Sequence, residues 1–490
     1  MVDTKQPYYL VVGLGSSGLS MARFLHAKGQ KVVATDIDSS RTQAETSLKD
    51  LGIRTQIGFH DQATFNLART IVVSPGVPLD MIYLKIAARN GIPITGELDI
   101  FSRYNKTPVI AITGTNGKTT TTTLIRDMLK ASGLTTFMGG NIGTPLVEYL
   151  MDDKPADWVV AEISSFQLDL AHNFKPEMAL LLNVAQDHLD RYDNFDGYMD
   201  SKWGIFRNQT SHDTAIINQA IDGFDTRISQ ISSQVLSFSS QSDSNVSDSN
   251  VSDSKKADSK ESDSKTAHIK SSLNARISGD HIFLQTQNGF EDIDTRALTE
   301  LPGIHNRENI AAACLASLLA GGNMQGLIAA LATFKNLPHR MAFVQKINGI
   351  SFFDDSKATN TNAVVRALES FQTNIILILG GREKGTDFSL LIPQIQDQAK
   401  KAVKQIIAMG EARNHIQQIL GEICPVLAVN SMEAAVEKAY EIACPGDVVL
   451  LSPACASFDM YENYGARGDD FIAQVNGMTN GLAKEVKNGQ

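Results

Sequence analysis

The residues Lys118-Thr119-Thr120 stand where a phosphate-binding loop would lead into its helix. Such a loop can surround a polyphosphate with backbone N–H groups, while Lys118 reaches the β- and γ-phosphates and the Thr119 hydroxyl binds Mg²⁺. The general motif also requires a glycine where this chain has Ile112, so only its Gly-Lys-Thr half matches. We predict a nucleoside triphosphate site made of Gly114, Thr115, Asn116, Gly117, Lys118, Thr119 and Thr120.

Two further polar residues stand at the ends of apolar, strand-like runs. Glu162 ends the run Trp158–Glu162, and His188 follows the run Ala179–Val184. The carboxyl ends of parallel strands meet at one edge of a sheet, which is where ligands bind in such folds. A carboxylate and an imidazole there can hold Mg²⁺ against phosphate oxygens. Each residue alone favours a structural role, but together with Lys118 they favour a metal site.

A second glycine loop, Gly13–Gly18, follows the run Tyr8–Val12 and opens a helical pattern. A later run ends at Asp36, where a carboxylate could accept a hydroxyl or N–H hydrogen bond from a ligand. The pattern predicts a Rossmann-like domain. Taken alone, it leaves open an NAD- or FAD-dependent oxidoreductase and a tight turn without a ligand.

The elements that position these loops follow an alternating pattern. Short apolar runs, each followed by a turn and a helical pattern, predict parallel sheets of the α/β class. We expect three domains, at residues 1–105, 106–336 and 337–490. The further strand-like runs are Lys31–Asp36, Ile71–Val73, Val109–Thr113, Ile375–Leu379, Gln405–Met409 and Val448–Leu451.

Composition limits the possible partners of the chain. Its 490 residues carry a net charge of −10 and contain no block of Lys and Arg, which argues against nucleic-acid and anionic-membrane binding. Four separated cysteines argue against disulfide or zinc frameworks and favour buried thiols in a reducing compartment. The N-terminus lacks a signal pattern, and no apolar run reaches the length of a membrane span. We therefore expect a cytoplasmic protein that does not insert into membranes.

Five imperfect Ser/Asp-rich pentapeptides occupy residues 242–266. With almost no apolar side chains, the segment cannot offset the entropy lost on ordering, so we expect a disordered insert at about 240–267. A calcium-binding or phosphorylated acidic repeat is the alternative. The spacing lacks the glycine and closing glutamate of an EF-hand loop.

The loop Thr113–Thr120 resembles the ATP loop of the Mur ligase family, including the replacement of its first glycine. Folylpolyglutamate synthases have a similar loop, but other segments from Gly13 to Phe471 also resemble the Mur ligases. The resemblance implies a Rossmann-like N-terminal domain for a UDP-linked substrate and a central P-loop ATPase-like domain with a mostly parallel sheet. It also implies a Rossmann-like C-terminal domain for the amino acid.

The resemblance also assigns roles to individual residues. The implied catalytic residues are Lys118, Asn141, Glu162, His188 and Lys202. Two Mg²⁺ ions are implied, with ligands among Thr119, Glu162, His188 and Lys202, the last of these if it is carbamylated by CO₂. The residues implied to contact ATP outside the loop are Asn306, Asn309, Arg340, Asp355 and Lys357. Those implied for the UDP group are Ser16, Ser17, Asp36 and Gly76.

The C-terminal segments resemble those of family members that add D-glutamate to UDP-N-acetylmuramoyl-L-alanine. The positions implied to hold D-glutamate are Thr359, Lys384, Ser457 and Tyr464, and cationic and hydroxyl groups suit a dicarboxylate. Two departures stand out: Arg382-Glu383 replaces the Asp-Gly common before the lysine, and Tyr464 replaces a phenylalanine. The first puts the geometry around Lys384 in doubt.

The resemblance thus implies an ATP-dependent amide-forming ligase that works through an acyl phosphate and acts, we expect, as a monomer. Three alternatives remain. A folylpolyglutamate synthase would use L-glutamate and need no first Rossmann-like domain, an oxidoreductase would bind NAD, and a non-catalytic nucleotide-binding protein would tolerate Lys118→Ala.

Overall fold

The computed structural model describes residues 7–152, 154–188, 191–240, 273–286, 289–299, 301, 303–371, 373–383, 385–396 and 403–488. The chain divides into two compact units. The first unit comprises residues 1–183, 201–299 and 307–332, and the second comprises 184–200, 300–306 and 333–490. The pentapeptides at 242–266 and Lys384 lie outside the described residues, so the predictions made for them stay predictions.

The first sheet of the first unit is parallel throughout, with strand order β3-β2-β1-β4-β5. Its strands are β1 Tyr8–Val12, β2 Val32–Asp36, β3 Arg54–Ile57, β4 Ala68–Val73 and β5 Ile94–Thr95. Its helices are α1 Ser16–Ala27, α2 Thr42–Asp50, α3 Gln62–Asn66, α4 Ile82–Arg89 and α5 Glu97–Tyr104. The strand order reverses between β1 and β4, and the crevice beyond the carboxyl ends of such a pair is where this fold binds ligands.

The second sheet of the first unit has nine strands in the order β14-β13-β12-β11-β10-β9-β6-β8-β7. Pairing is parallel from β7 to β12 and antiparallel from β12 to β14. The strands are β6 Val109–Thr113, β7 Thr136–Gly140, β8 Trp158–Glu162, β9 Met178–Leu181, β10 Thr214–Asn218, β11 Gln234–Ser239, β12 Leu273–Ser278, β13 His281–Thr286 and β14 Gly289–Asp294. The helices along this part of the chain are α6 Lys118–Ala131, α7 Leu146–Tyr149, α8 Ser165–Leu168, α9 Phe195–Trp203, α10 Phe224–Ile228, α11 Thr295–Leu298, α12 Ile304–Leu319 and α13 Met324–Thr333, with a 3-10 turn at Gly204–Phe206.

The sheet of the second unit has strand order β15-β16-β20-β17-β18-β19 and is parallel except for the pair β15–β16. Its strands are β15 Ala342–Ile347, β16 Ile350–Asp354, β17 Ile375–Gly380, β18 Val403–Met409, β19 Val426–Ala428 and β20 Val448–Leu451. The helices are α14 Thr361–Leu368, α15 Ile392–Gln396, α16 Arg413–Leu420, α17 Met432–Ile442 and α18 Tyr464–Asn488, with a 3-10 turn at Phe388–Leu391. Both faces of this sheet are covered by apolar clusters, which explains why its central strands are continuously apolar.

The predicted fold class is confirmed, since the α/β structure contains three mostly parallel sheets, two in the first unit and one in the second. The expected strand Ala179–Val184 is the shorter β9, Met178–Leu181. The expectation of buried thiols is wrong for Cys444, which is exposed, whereas Cys314, Cys424 and Cys455 are buried. Among the described residues, no helix is both long enough and apolar enough to cross a bilayer.

Candidate active site

The predicted phosphate loop connects β6 to α6, which begins at Lys118. Gly117 caps the helix with φ +83°, a conformation that favours glycine. A Cβ at Gly117 would collide with the Asn309 side-chain oxygen. The loop therefore needs glycine here for two reasons, and buried Asn309 on α12 lies against it.

Two lysine side chains meet on this loop. The Lys118 ammonium donates to the carbonyl oxygens of Gly114 and Thr115, at 2.7 and 2.9 Å. The Lys202 ammonium, on α9, donates to the same Gly114 oxygen at 2.9 Å. Lys202 is only 2% exposed, so its ammonium group is buried against the loop. The loop thus carries concentrated positive charge, which suits a polyphosphate.

Asn141 and Glu162 also come together. The Asn141 amide donates to one Glu162 carboxylate oxygen at 3.0 Å, and the Asn141 N–H donates to the Glu162 carbonyl at 2.7 Å. The other carboxylate oxygen of Glu162 is buried and has no hydrogen-bond partner among the described residues. Because burying an unpaired carboxylate oxygen costs free energy, this atom fits the needs of a hard cation such as Mg²⁺.

His188 belongs to the second unit and has a left-handed backbone, with φ +57°. The backbone N–H of His188 donates to the Asp187 carboxylate at 2.9 Å, and the Nε2 atom of its ring lies 3.7 Å from the other Asp187 oxygen. The imidazole is partly exposed, so it remains accessible to a ligand.

The first glycine loop forms one side of a cavity of about 610 Å³ at the β1–β4 crevice. Ser16, Ser17, Asp36 and Gly76 all line it, as do Arg41 and His60, which the sequence patterns do not indicate. The Asp36 carboxylate accepts the N–H groups of Leu14 at 2.6 Å and Asp38 at 2.9 Å. Asp36 therefore orders the loop itself, in addition to facing the cavity.

In the second unit, Arg340 lies close enough to Asp355 to influence the pKa of its carboxyl group. Burial raises the pKa of Asp355 to about 7, against the lowering effects of Ser452, Arg340 and the Met341 N–H. The Ser452 hydroxyl and the Met341 N–H donate to Asp355 at 2.9 and 3.2 Å. Asn306 lies in the first turn of α12.

Lys357 and Tyr464 are neighbours, because the Lys357 ammonium lies 5.0 Å from the centre of the Tyr464 ring. The tyrosine thus offers Lys357 a cation–π contact that a phenylalanine could also provide. The Tyr464 carbonyl accepts the Ser356 hydroxyl at 2.8 Å. The substitution at Tyr464 is therefore compatible with the same local arrangement.

Thr359 lines a narrow cleft together with Asp187 and Asn360. The Asn360 side-chain amide donates to the Asp187 carboxylate at 3.1 Å. Ser457 is buried and follows Ala456, whose backbone forms a two-way bridge with Arg382. This bridge holds the segment before Lys384 beside the segment that contains Ser457.

The unusual Arg382-Glu383 pair is directed towards α16. The Arg382 guanidinium pairs with Glu411 at 3.2 Å, and Glu383 pairs with His415 at 3.1 Å. Both partners lie just before or on α16, so the pair is accommodated without disturbing the backbone bridge.

Three family models match the chain in succession. They describe a Mur ligase MurD-like N-terminal domain at residues 8–96, a Mur ligase middle domain at 112–317 and a Mur ligase glutamate ligase domain at 339–455. A curated relative from Desulfosudis oleivorans is 42% identical over 98% of both chains. The chain belongs to the Mur ligase family.

The Desulfosudis oleivorans relative is a UDP-N-acetylmuramoylalanine--D-glutamate ligase. A relative of the same name from Desulfatibacillum aliphaticivorans is 39% identical over 97% of this Mur ligase and 100% of its own length. The fold is shared with the MurF ligase from Thermotoga maritima solved in complex with ADP, at 16% identity and a TM-score of 0.55. That likeness covers 97% of this Mur ligase and 98% of the MurF chain. As a member of the family, the protein is an ATP-dependent ligase that forms amide bonds.

Proposed function

We propose that this Mur ligase adds D-glutamate to UDP-N-acetylmuramoyl-L-alanine, with conversion of ATP to ADP and phosphate. The observation that carries this proposal is the 42% identity, over nearly the full length of both chains, to a ligase of that name. The similarity extends through the C-terminal domain, where the amino acid is expected to bind.

In the first step, a carboxylate oxygen of the L-alanine group attacks the γ-phosphorus of ATP, and ADP leaves. Negative charge on the transferring group is stabilised by the Lys118 ammonium and by N–H groups from the Gly114–Thr120 loop. In the second step, the amine of D-glutamate attacks the acyl carbon. Phosphate leaves, the nitrogen loses a proton, and an amide bond remains.

Magnesium suits the residues of the first unit around the phosphate loop. Thr119 follows Lys118 on α6, and among the described residues Glu162 has a buried oxygen without a hydrogen-bond partner. His188, in the second unit, is assigned to the metal by the family resemblance. These residues, and Lys202 if it is carbamylated, would hold up to two Mg²⁺ ions. The ions would neutralise charge on the phosphate oxygens.

The remaining predicted contacts are proposed for the three substrates. Ser16, Ser17, Asp36 and Gly76 line the 610 Å³ cavity and are assigned to the UDP group. For the rest of ATP, the assigned residues are Asn306, Asn309, Arg340, Asp355 and Lys357. For D-glutamate, the assigned residues are Thr359, Lys384, Ser457 and Tyr464.

The decisive experiment measures phosphate release from ATP and Mg²⁺ with UDP-N-acetylmuramoyl-L-alanine and different amino acids. Turnover that requires D-glutamate and is abolished by Lys118→Ala supports the proposal. Turnover with L-glutamate or another amino acid would keep the family and change the acceptor. ATP binding without turnover would contradict the proposed activity. Lys438→Ala, at an exposed position of α17, is the matched control and should keep normal turnover.

A further inference from the structure

A buried carboxylate, Glu97, lies outside every predicted site. It is the first residue of α5 and is 4% exposed. One of its carboxylate oxygens accepts the Ser17 hydroxyl at 2.7 Å, and the other faces the Val147 N–H at 3.4 Å. The Leu146 N–H and the Gln167 side chain lie close enough to Glu97 to act on the pKa of its carboxyl group, which burial raises overall.

The residues around Glu97 come from three segments that lie in or next to predicted ligand sites. Ser17 belongs to the first glycine loop, which lines the UDP cavity. Leu146 and Val147 begin α7, directly after the loop that contains Asn141. Gln167 belongs to α8, three residues after Ser164, and Ser164 is separated from Glu162 only by Ile163. A single carboxylate therefore connects the segment for the nucleotide end of the substrate with two segments for its reacting end.

The hydrogen bonds at Glu97 fix orientations as well as distances. Because Ser17 donates its hydroxyl proton to Glu97, that hydroxyl can only accept a hydrogen bond from a bound ligand. The carbonyl oxygen of the Gln167 amide accepts from the Ser164 N–H at 3.0 Å, so the amide nitrogen is the part of Gln167 that remains to donate to a group such as Glu97. Buried polar groups in such a connected network hold one arrangement, because a displaced member would lose its partner.

We propose that Glu97 is a positioning residue that sets the distance between the UDP-binding loop and the segments of Asn141 and Glu162. This inference rests on the proposed function, in which the substrate is held at its nucleotide end and reacts at its L-alanine carboxylate. A misplacement of about 1 Å can reduce a rate by roughly 10²-fold, because the reacting atoms must meet in a narrow range of geometries.

Asp99 provides a matched control on the same helix. It is also a buried carboxylate, and it accepts the N–H groups of His172 and Asn173 at 3.1 and 2.7 Å. These contacts join α5 to a part of the chain that is assigned to no ligand. Asp99→Asn should therefore lower stability as Glu97→Gln does, without the same effect on the reaction.

The experiment compares kcat, KM for each substrate and UDP affinity in the wild type, Glu97→Gln and Asp99→Asn. For Glu97→Gln we expect kcat to fall by about 10- to 100-fold, in line with the cost of misplacement. KM for ATP and D-glutamate should stay within about 3-fold, since their assigned residues do not contact Glu97. Asp99→Asn should keep kcat within about 3-fold by the same reasoning. Equal losses in both variants, or an unchanged kcat in Glu97→Gln, would overturn the proposal.

Two further measurements keep the test independent of folding and of the proposed activity. If Glu97→Gln does not fold, Glu97→Asp keeps the carboxyl group but shortens the side chain, and it should lower kcat in the same way. Amide hydrogen exchange should increase in both segments 13–20 and 139–150 of Glu97→Gln and in neither segment of Asp99→Asn. A wild type without turnover would contradict the proposed function, whereas unchanged exchange in Glu97→Gln would contradict the role of Glu97.

Discussion

The Lys118 and Lys202 ammonium groups donate to one acceptor, the carbonyl oxygen of Gly114, at 2.7 and 2.9 Å. They come from different helices, α6 and α9. Two like charges that share one acceptor repel each other, and burial of Lys202 weakens the screening by solvent. An arriving phosphate, or conversion of the Lys202 amine to an anionic carbamate, would relieve this repulsion.

Replacement of Lys202 by arginine should separate these two effects. Arginine keeps the positive charge, and because its guanidinium group stays protonated it cannot form a carbamate with CO₂. We expect Lys202→Arg to lose about 10²-fold or more in kcat, comparable to loss of one electrostatic group at a reacting centre. Wild-type turnover should fall in CO₂-depleted buffer and recover with bicarbonate, whereas residual Lys202→Arg turnover should not respond. Wild-type turnover that does not change with CO₂ would argue for a direct role of the Lys202 ammonium group.

Glu162→Gln should lower activity without lowering stability. One buried Glu162 oxygen has no partner among the residues that the structure describes, which costs free energy when no metal is bound, and a neutral amide would reduce that cost. We expect the melting temperature without Mg²⁺ to stay the same or rise, as is common when a strained functional site is relaxed. The Mg²⁺ concentration for half-maximal turnover should rise, and kcat should fall.

The same pair of measurements on Glu148→Gln gives the comparison for Glu162→Gln. Glu148 lies on α7, outside the proposed metal ligands, so its substitution should leave the Mg²⁺ dependence unchanged. An unchanged Mg²⁺ dependence in Glu162→Gln would remove Glu162 from the proposed metal site.

The sequence predicts the fold class well because its strands are short, apolar and buried. For β1, β6 and β8 the predicted and observed bounds are identical. The antiparallel strands β12–β14 and β15 are missed, since their alternating and partly exposed residues give no continuous apolar run. The parallel strands β10 and β11 are missed as well, although most of their residues are buried, because polar residues shorten or interrupt their apolar runs. Local periodicity therefore predicts continuously apolar strands better than interrupted ones.

Within the candidate site, the sequence predicts residues in motifs or at strand ends. It misses residues whose role depends on burial or on hydrogen bonds to distant parts of the chain. Lys118 and Glu162 are marked by a motif and a strand end, so they can be found from spacing. Lys202 is identified only by family resemblance, because nothing local indicates that a helix lysine is buried. Glu97 and Arg467 give no sequence signal, since their partners are distant in the chain.

The stability of the second unit should depend on pH through Asp355. Its carboxyl pKa is raised to about 7 in the folded protein and returns to roughly 3.9 on unfolding. Between these values the folded state binds more protons, so stability falls as pH rises from about 4 to 7 and then levels off. Between about pH 4 and 7, this carboxyl group should change the free energy of unfolding by up to about 4 kcal/mol, and Asp355→Asn should remove that change. Denaturant unfolding of both proteins across the same pH range measures it. Asp355→Asn should also raise KM for ATP.

Asp447→Asn is the control for Asp355→Asn because the pKa shift has the opposite sign. Burial of Asp447 acts to raise its pKa, but hydrogen bonds from Cys444, Lys404 and Asn374 lower it overall. Its contribution to stability is present above the unfolded pKa and is lost as pH falls through the folded pKa. The two variants should therefore change the pH profile in opposite directions, and parallel changes would contradict the assignment to Asp355.

Arg467 should link the stability of the second unit to amino-acid binding. It is 1% exposed, and burial lowers its pKa to about 10, so it stays charged at neutral pH. Its guanidinium donates to the Ser356 hydroxyl and carbonyl at 2.9 and 2.7 Å and to the Cys455 carbonyl at 3.0 Å. It thus ties together the segments that contain Thr359 and Ser457.

Arg467→Lys keeps the charge but loses the planar fork that reaches both segments. We expect the free energy of unfolding to fall by about 2 kcal/mol, the cost of leaving buried carbonyl groups unsatisfied. The displaced segments also hold the residues assigned to D-glutamate, so we expect binding to weaken by about 1.4 kcal/mol, which corresponds to a roughly 10-fold rise in KM for D-glutamate. KM for the UDP substrate should not change. The control is Arg413→Lys, because the Arg413 guanidinium donates to Asn430 on the surface. This control should change neither the free energy of unfolding nor KM for D-glutamate. If Arg467→Lys raised KM for D-glutamate and KM for the UDP substrate equally, the cause would be a general loss of structure.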